Sequence, residues 1–351
     1  MVHNVKLRQI YLFFLFVVVF FSPALLLVSC KQDTKPDVSA LHLDVKTDRF
    51  DKDLYTGKDK DIKTTDTLLK KKYGFFYQDF ADRMVGNGSY TTAQIINYMY
   101  KDQAYSDLQK EVDSVFKDLT PYNEEITQTF KYVRYYYPKA PIPRFIYFVS
   151  GFAVQTPIGE DYLGIGLDMF MGKDSKFYKA IVQSVPAYLS RRFAPEYLVP
   201  RVTETYAREE LFPERDEDRT LLAKMIHNGK VLYFMDQVLP ESVPDSVKIG
   251  YTAKQLEWCE AFEAEIWAYY LQNNLLFETN FDAIQVLLSD GPFTPGLGEK
   301  MESAPKLGVW TGWQIVRRYM EENKEVTLQQ LMAEKDAQKI LNAAKYKPRF
   351  R

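Results

Sequence analysis

Apolar residues recur every three or four positions along most of this chain, which is the spacing of one helix face. In the segment 64–86, Leu69, Tyr73, Phe76 and Phe80 follow this spacing, and Asp66 is a candidate N-cap. The same pattern predicts further helices at about 91–99, 103–117, 121–137, 174–184, 196–211, 216–237, 252–275, 309–322 and 327–343. The last of these begins with the capping box Thr327-Leu328-Gln329-Gln330.

Two β-rich runs interrupt the helical pattern in the middle of the chain. Residues 145–149 and 162–170 are rich in β-branched and aromatic side chains, and a loop at 151–160 separates them. Neighbouring strands joined by a loop predict a hairpin. We find no internal repeat, so the expected fold class is α+β, mostly helical around a small antiparallel sheet.

The N-terminus has the features of a bacterial lipoprotein signal. Lys6 and Arg8 precede an unbroken apolar run at 10–21, and Leu27-Val28-Ser29-Cys30 resembles the lipobox in which the cysteine is acylated. The alternative is an uncleaved transmembrane anchor, because residues 9–29 carry no charge. Both interpretations place the rest of the chain on the outer, periplasmic side of a membrane. Lipoprotein processing is favoured because Ser22-Pro23 breaks the apolar run.

These features predict a signal peptide at 1–29, a polar tether at 30–46 and one globular domain at 47–351. Bacterial acylation would attach lipid such as palmitate to Cys30 and hold the chain at the membrane. Without the signal peptide the chain carries 43 basic and 47 acidic residues. This balance argues against a nucleic-acid partner, which requires a basic surface.

Few residues of the chain offer catalytic or metal-binding chemistry. Only His42 and His227 remain after processing, and His227 is expected to be a polar residue at a helix end. There is no His-Glu-x-x-His, no Cys-x-x-Cys and no calcium loop, so we expect no catalytic residue, metal or cofactor. Cys259 has the helical apolar spacing of a buried structural thiol.

Acidic and basic residues alternate around one predicted helix. The acidic members are Glu204, Glu209, Glu210 and Glu214, and the basic ones are Arg201, Arg208 and Arg215. Interleaved opposite charges are typical of a solvated helix face with weak ion pairs. Two carboxylates from distant helices could instead form a glycosidase pair, so this alternative stays open.

The chain from about 45 to 348 resembles the GldB family of gliding-motility lipoproteins of Bacteroidetes. The matching stretches are 49–51, 146–152, 164–172, 195–200, 249–252, 258–259, 266–267, 308–317 and 336–341. The resemblance implies membership of the gliding-motility and type IX secretion machinery of the cell envelope. Related chains also occur in members of the phylum that do not glide.

A weaker likeness connects the chain to predicted zinc peptidases of the zincin type. In those proteins one helix carries His-Glu-x-x-His, where this chain has Thr203-Glu204-Thr205-Tyr206-Ala207, and Asn228-Gly229-Lys230 is the tentative counterpart on the next helix. Thr203, Ala207 and Asn228 cannot hold zinc together, because a tetrahedral site needs imidazole, thiolate or carboxylate ligands. The likeness therefore implies a degenerate zincin-like fold without metal chemistry.

Two classes of function follow from the sequence. The first is a non-catalytic, lipid-anchored component or assembly factor of an envelope machine, attached to the membrane by Cys30 and contacting other envelope proteins. Trp310 and Trp313, three residues apart on one helix face, either pack in the core or mark such a contact, and core packing is favoured. The second class is an envelope hydrolase, peptidase-like or acting on glycan, that uses carboxylates.

Overall fold

The computed structural model describes residues 35–86, 88–214, 217–298 and 302–350. The predicted signal peptide, Cys30 and the first tether residues lie outside this part of the chain. Residues 35–46 contain no helix or strand, and every element below lies within the unit Leu41–Arg351. The division at residue 47 stays a prediction.

The first half of the unit is a run of helices after one short strand. Its elements are β1 (Thr47–Arg49), α1 (Phe50–Thr56), α2 (Ile62–Asp79, continued by a π-helical turn at Phe80–Met84), α3 (Thr92–Lys101), α4 (Gln103–Val115) and α5 (Thr120–Tyr136). The four helices that periodicity predicts here are confirmed. The cap of α2 is Asp61 and not Asp66, because the Asp61 side chain accepts a hydrogen bond from the Thr64 N–H group.

The strands form a three-stranded parallel sheet, so the predicted antiparallel sheet is wrong. Strands β2 (Arg144–Phe148) and β3 (Tyr162–Gly166) pair in parallel register, and β1 pairs in parallel on the other side of β2. The expected degenerate zincin-like fold belongs to the same fold-class prediction and is corrected with it. The fold is mostly helical with a small parallel sheet.

The connection between β2 and β3 explains the error. Residues 149–161 carry the chain back to the start of β3, and about a dozen residues suffice for such a crossover. The later part of this connection, around residues 155–158, runs antiparallel to β3 and pairs with it. The N–H group of Gly164 donates to the Pro157 carbonyl at 2.7 Å, and that of Gly166 donates to the Gln155 carbonyl at 2.8 Å. The sequence signal for a hairpin thus belongs to the loop and β3.

Helices make up the second half of the unit. They are α6 (Tyr178–Ser184), α7 (Ala187–Ser190), α8 (Leu198–Tyr206, continued by a π-helical turn at Ala207–Leu211), α9 (Leu221–Val238), α10 (Asp245–Ile249), α11 (Ala253–Ala261), α12 (Glu263–Gln272), α13 (Phe281–Leu288), α14 (Leu307–Glu322), α15 (Leu328–Ala333) and α16 (Ala337–Ala344), with 3₁₀ turns at Leu167–Phe170, Pro195–Tyr197 and Leu275–Phe277.

Two helices predicted as continuous are broken in the structure. The predicted helix 252–275 divides at Phe262, whose backbone leaves the helical region. The predicted helix 327–343 divides between Ala333 and Ala337. The capping box of Thr327 and Gln330 is confirmed at the start of α15. The apolar spacing did not predict helix α13.

Helix α9 is the centre of the larger core and packs closely against α14. A Cβ atom added at Gly312 would lie 1.9 Å from the Met225 carbonyl oxygen, and one added at Gly229 would lie 2.3 Å from the Gly312 carbonyl oxygen. Only glycine permits this approach of two backbones. Trp310 and Trp313 are buried on α14, which confirms core packing as their role.

A buried carboxylate joins the ends of β2 and β3. Asp168 accepts hydrogen bonds from the N–H groups of Ser150 at 3.2 Å and Phe152 at 2.6 Å. Gly151 and Phe152 adopt left-handed φ angles of 75° and 66°, which turn these N–H groups toward the carboxylate. Burial raises the pKa of Asp168 to about 6, although the backbone hydrogen bonds oppose the shift.

Replacement of Gly312 by alanine should destabilise the protein strongly, because the added methyl group has no space between α9 and α14. We expect a loss of about 3 kcal/mol in the free energy of unfolding, the upper range of overpacking effects. Urea unfolding followed by tryptophan fluorescence measures it. Gly291→Ala is the control, since its Cβ would meet its nearest atom at 3.4 Å. Equal effects of the two substitutions would contradict the close helix crossing.

The raised pKa of Asp168 predicts a defined pH dependence of stability. The folded pKa, about 6, lies above the ordinary value of 3.8, so the contribution is fully present below pH 4 and is lost as pH rises through 6. The loss amounts to about 3 kcal/mol. Urea unfolding between pH 4 and pH 8 should show it as a difference between wild type and Asp168→Asn. Asp161→Asn, an exposed neighbour, should retain the wild-type profile. An unchanged profile in Asp168→Asn would refute the assignment.

Candidate functional site

A pocket of about 280 Å³ opens where α8, α9, α10, the end of α13 and the start of α14 meet. We call it the charged pocket. Its lining residues are Glu204, Arg208, Asn228, Leu232, Lys248, Ile249, Leu288, Ser289, Asp290, Lys306 and Val309.

Glu204 is the acidic residue that α8 contributes to the charged pocket. Arg201 and Arg208 lie one helical turn before and after it, so both side chains reach the same carboxylate. Arg201 pairs with one carboxylate oxygen, and Arg208 Nε donates to the other at 2.9 Å. Burial alone would raise the pKa of Glu204, but the two guanidinium groups hold it well below its usual range.

The predicted solvated acidic face is therefore wrong for Glu204, whose side chain is only 16% exposed. The prediction holds for Glu209 and Glu210, which are exposed on the following π-helical turn. Glu214 lies elsewhere and pairs with Lys224 at 2.8 Å. Arg215 lies outside the described residues.

Asp290 is the second carboxylate of the charged pocket. It also has two cationic partners, Arg192 Nη2 at 2.7 Å and Lys306 Nζ at 2.9 Å. Burial would raise its pKa, but Lys306 and Arg192 lower it to about 2. Lys306 is itself only 13% exposed and immediately precedes α14 with a left-handed φ of 42°.

A balanced ionic network supports the side of the pocket formed by α10. Lys248 donates to Asp236 at 2.8 Å and to Asp245 at 3.0 Å. Arg317 makes two hydrogen bonds to Asp236 and one to Asp245. The Arg317 guanidinium also lies 3.8 Å from the centre of the Trp313 ring, whose Nε1 donates to Asp236. These contacts fix α9, α10 and α14 to one another.

The charged pocket is also where the peptidase-like positions meet. Glu204 and Asn228 both line it, while Thr203 is buried and donates to the Val199 carbonyl. Arg208 and Lys306 occupy this pocket as cations, and they would repel a metal ion. Within the described ranges, no group of three or more His, Cys, Asp or Glu side chains could hold a metal.

The two histidines do not take part in the charged pocket. His42 is exposed before β1. His227 lies inside α9 and lines a separate pocket of about 400 Å³, so its predicted place at a helix end is wrong. Burial lowers the pKa of His227 to about 4, which keeps it neutral at pH 7. Cys259 is fully buried, as predicted, and burial raises the pKa of its thiol.

Sequence reasoning missed three of the charged groups, Arg192, Asp290 and Lys306. None belongs to a motif, and the ion pair of Arg192 with Asp290 connects segments 98 residues apart. The local signal for Lys306 is that it lies two residues before 308–317, one of the stretches that carry the family resemblance.

Comparison with known proteins gives one extensive match. A family model described as gliding motility protein GldB matches residues 31–348. No curated protein and no solved structure matches the chain. In the part of the chain that the structure describes, no helix has the length and apolar character needed to span a membrane. Because the match covers most of the sequence, this chain belongs to the GldB family of gliding motility proteins.

Proposed function

We propose that this protein is a lipid-anchored, non-catalytic component or assembly factor of the gliding-motility and type IX secretion machinery. The observation that carries the proposal is the GldB family match over residues 31–348. In this role the protein acts in the cell envelope through contacts with other envelope proteins, on the periplasmic side of a membrane.

The anchoring part of the proposal rests on the N-terminal sequence. Cys30 follows Leu27-Val28-Ser29 and lies one residue before the start of the family match. Its acyl chains, palmitate among them, would hold the protein at the membrane, since each buried CH₂ group contributes about 0.8 kcal/mol. The segment after Cys30 is polar and suits a spacer between lipid and folded domain.

The electrostatics of the charged pocket support a non-catalytic role. A glycosidase needs one carboxyl group with a raised pKa as general acid beside a second, ionised carboxylate. In this pocket the pKa values of both Glu204 and Asp290 are lowered, so each is a poor proton donor and a weak base. Asp168 has a raised pKa, but it is bonded to backbone N–H groups after β2 and does not line the charged pocket.

Radioactive palmitate supplied to growing cells tests the anchor. The wild-type protein should incorporate label, and Cys30→Ala should lose it, because no thiol remains at the processing site. Cys259→Ala is the matched control and should incorporate label normally, since Cys259 is buried. Label that persists in Cys30→Ala would disprove acylation at Cys30.

Complementation of a deletion strain tests the absence of carboxyl catalysis. Asp168 is the most plausible acid for a hydrolase, because its pKa is about 6. Asp168→Asn preserves its shape, so we expect this variant to restore gliding or type IX secretion as well as Asp161→Asn does. Immunoblots of membrane fractions check abundance and localisation. A folded, correctly localised Asp168→Asn protein that fails to complement, beside a functional Asp161→Asn, would favour the hydrolase alternative.

A further inference from the structure

The two carboxylates of the charged pocket are outnumbered by the cations that pair with them. Each of its two acids has two cationic partners: Glu204 is paired with Arg201 and Arg208, and Asp290 with Arg192 and Lys306. The adjoining network is balanced, since Asp236 and Asp245 face Lys248 and Arg317. Within the described residues, these six basic and four acidic side chains therefore carry a net charge of two positive units.

Part of this excess positive charge lies on side chains that are largely shielded from water. The side chains of Arg192 and Lys306 are nearly buried, so their charges are only weakly hydrated. Partly buried cations interact with an anion more strongly than exposed ones do, because the local dielectric constant is lower. A bound anion would therefore reduce the repulsion among these cations, which the two carboxylates neutralise only in part.

The start of α14 adds to the positive potential. This helix spans 16 residues, and the residue before it, Lys306, supplies no side-chain cap. Its first turn contains no acidic residue, and both Lys306 and Val309 line the charged pocket. The N–H groups of Leu307 and Val309 already donate to Thr294 Oγ1 at 3.4 Å and to the Lys306 carbonyl at 2.9 Å, so the helix contributes mainly its dipole, which favours an anion at this end.

The rest of the lining limits what can enter. Leu232, Ile249, Leu288 and Val309 also line the pocket, but most of its accessible surface is polar. The volume, about 280 Å³, is at the lower end for small-molecule sites. This size and polarity suit a small polar molecule that carries an anionic group.

We propose that the charged pocket is a binding site for a small anionic ligand, with its phosphate or carboxylate group held by Lys306, Arg208 and the start of α14. This inference is independent of the membrane anchor and of any role in motility.

Thermal unfolding and titration calorimetry of the full acylated chain in detergent test the site. Inorganic phosphate and citrate serve as the two probes, each compared with sodium chloride at equal ionic strength. A ligand that binds only the folded state raises the melting temperature as its concentration exceeds the dissociation constant. We expect a rise of several degrees with at least one probe, and the effective probe identifies phosphate or carboxylate as the preferred group.

Two substitutions localise the effect. Lys306→Met leaves Asp290 paired with Arg192, and Arg208→Gln leaves Glu204 paired with Arg201, so every carboxylate keeps at least one cationic partner in each variant. Each should weaken binding at least tenfold, whereas Lys254→Met, an exposed residue of α11, should not. If Lys306→Met fails to fold, Arg208→Gln decides the question. The proposal is overturned if neither probe binds, or if binding persists unchanged in every folded pocket variant.

Discussion

The close crossing of α9 and α14 is the contact on which the rest of the structure depends. Gly229 and Gly312 allow the two backbones to touch, and a single added carbon at either position would collide with a main-chain atom. Two turns beyond Gly229, this crossing places Asp236 against Trp313 and Arg317. At its other end it brings the start of α14 to the charged pocket. Packing thus fixes the positions of the charged groups around the pocket.

The charged groups of the pocket suit the binding of an anion better than they suit proton transfer. Paired guanidinium and ammonium groups keep Glu204 and Asp290 ionised, so neither carboxylate is suited to act as a general acid. The same pairing leaves an excess of positive charge. Such a pocket is compatible with the non-catalytic role that we propose.

The sequence predicted the long amphipathic helices well, because their periodicity reports burial directly. It located the strands around Phe145 and Leu163 but not their direction, because the hairpin signal comes from the loop and β3. The burial of both strands on both faces is what a parallel sheet would show. The site was only partly predictable. The i, i+4 spacing of Glu204 and Arg208 indicated an ion pair, but the contact of Asp290 with Lys306 depends on the tertiary fold. Whether such charges are solvated or buried depends on that fold too.

We infer that the pocket between α8, α9 and α14 binds an anion through its cationic side chains and does not bind a metal ion. Anomalous X-ray diffraction tests it most directly, on crystals soaked separately with selenate and with zinc. Our account predicts a selenium peak in contact with Lys306 or Arg208 and no zinc peak within the pocket. A zinc ion bound to Glu204, with no selenate nearby, would contradict it.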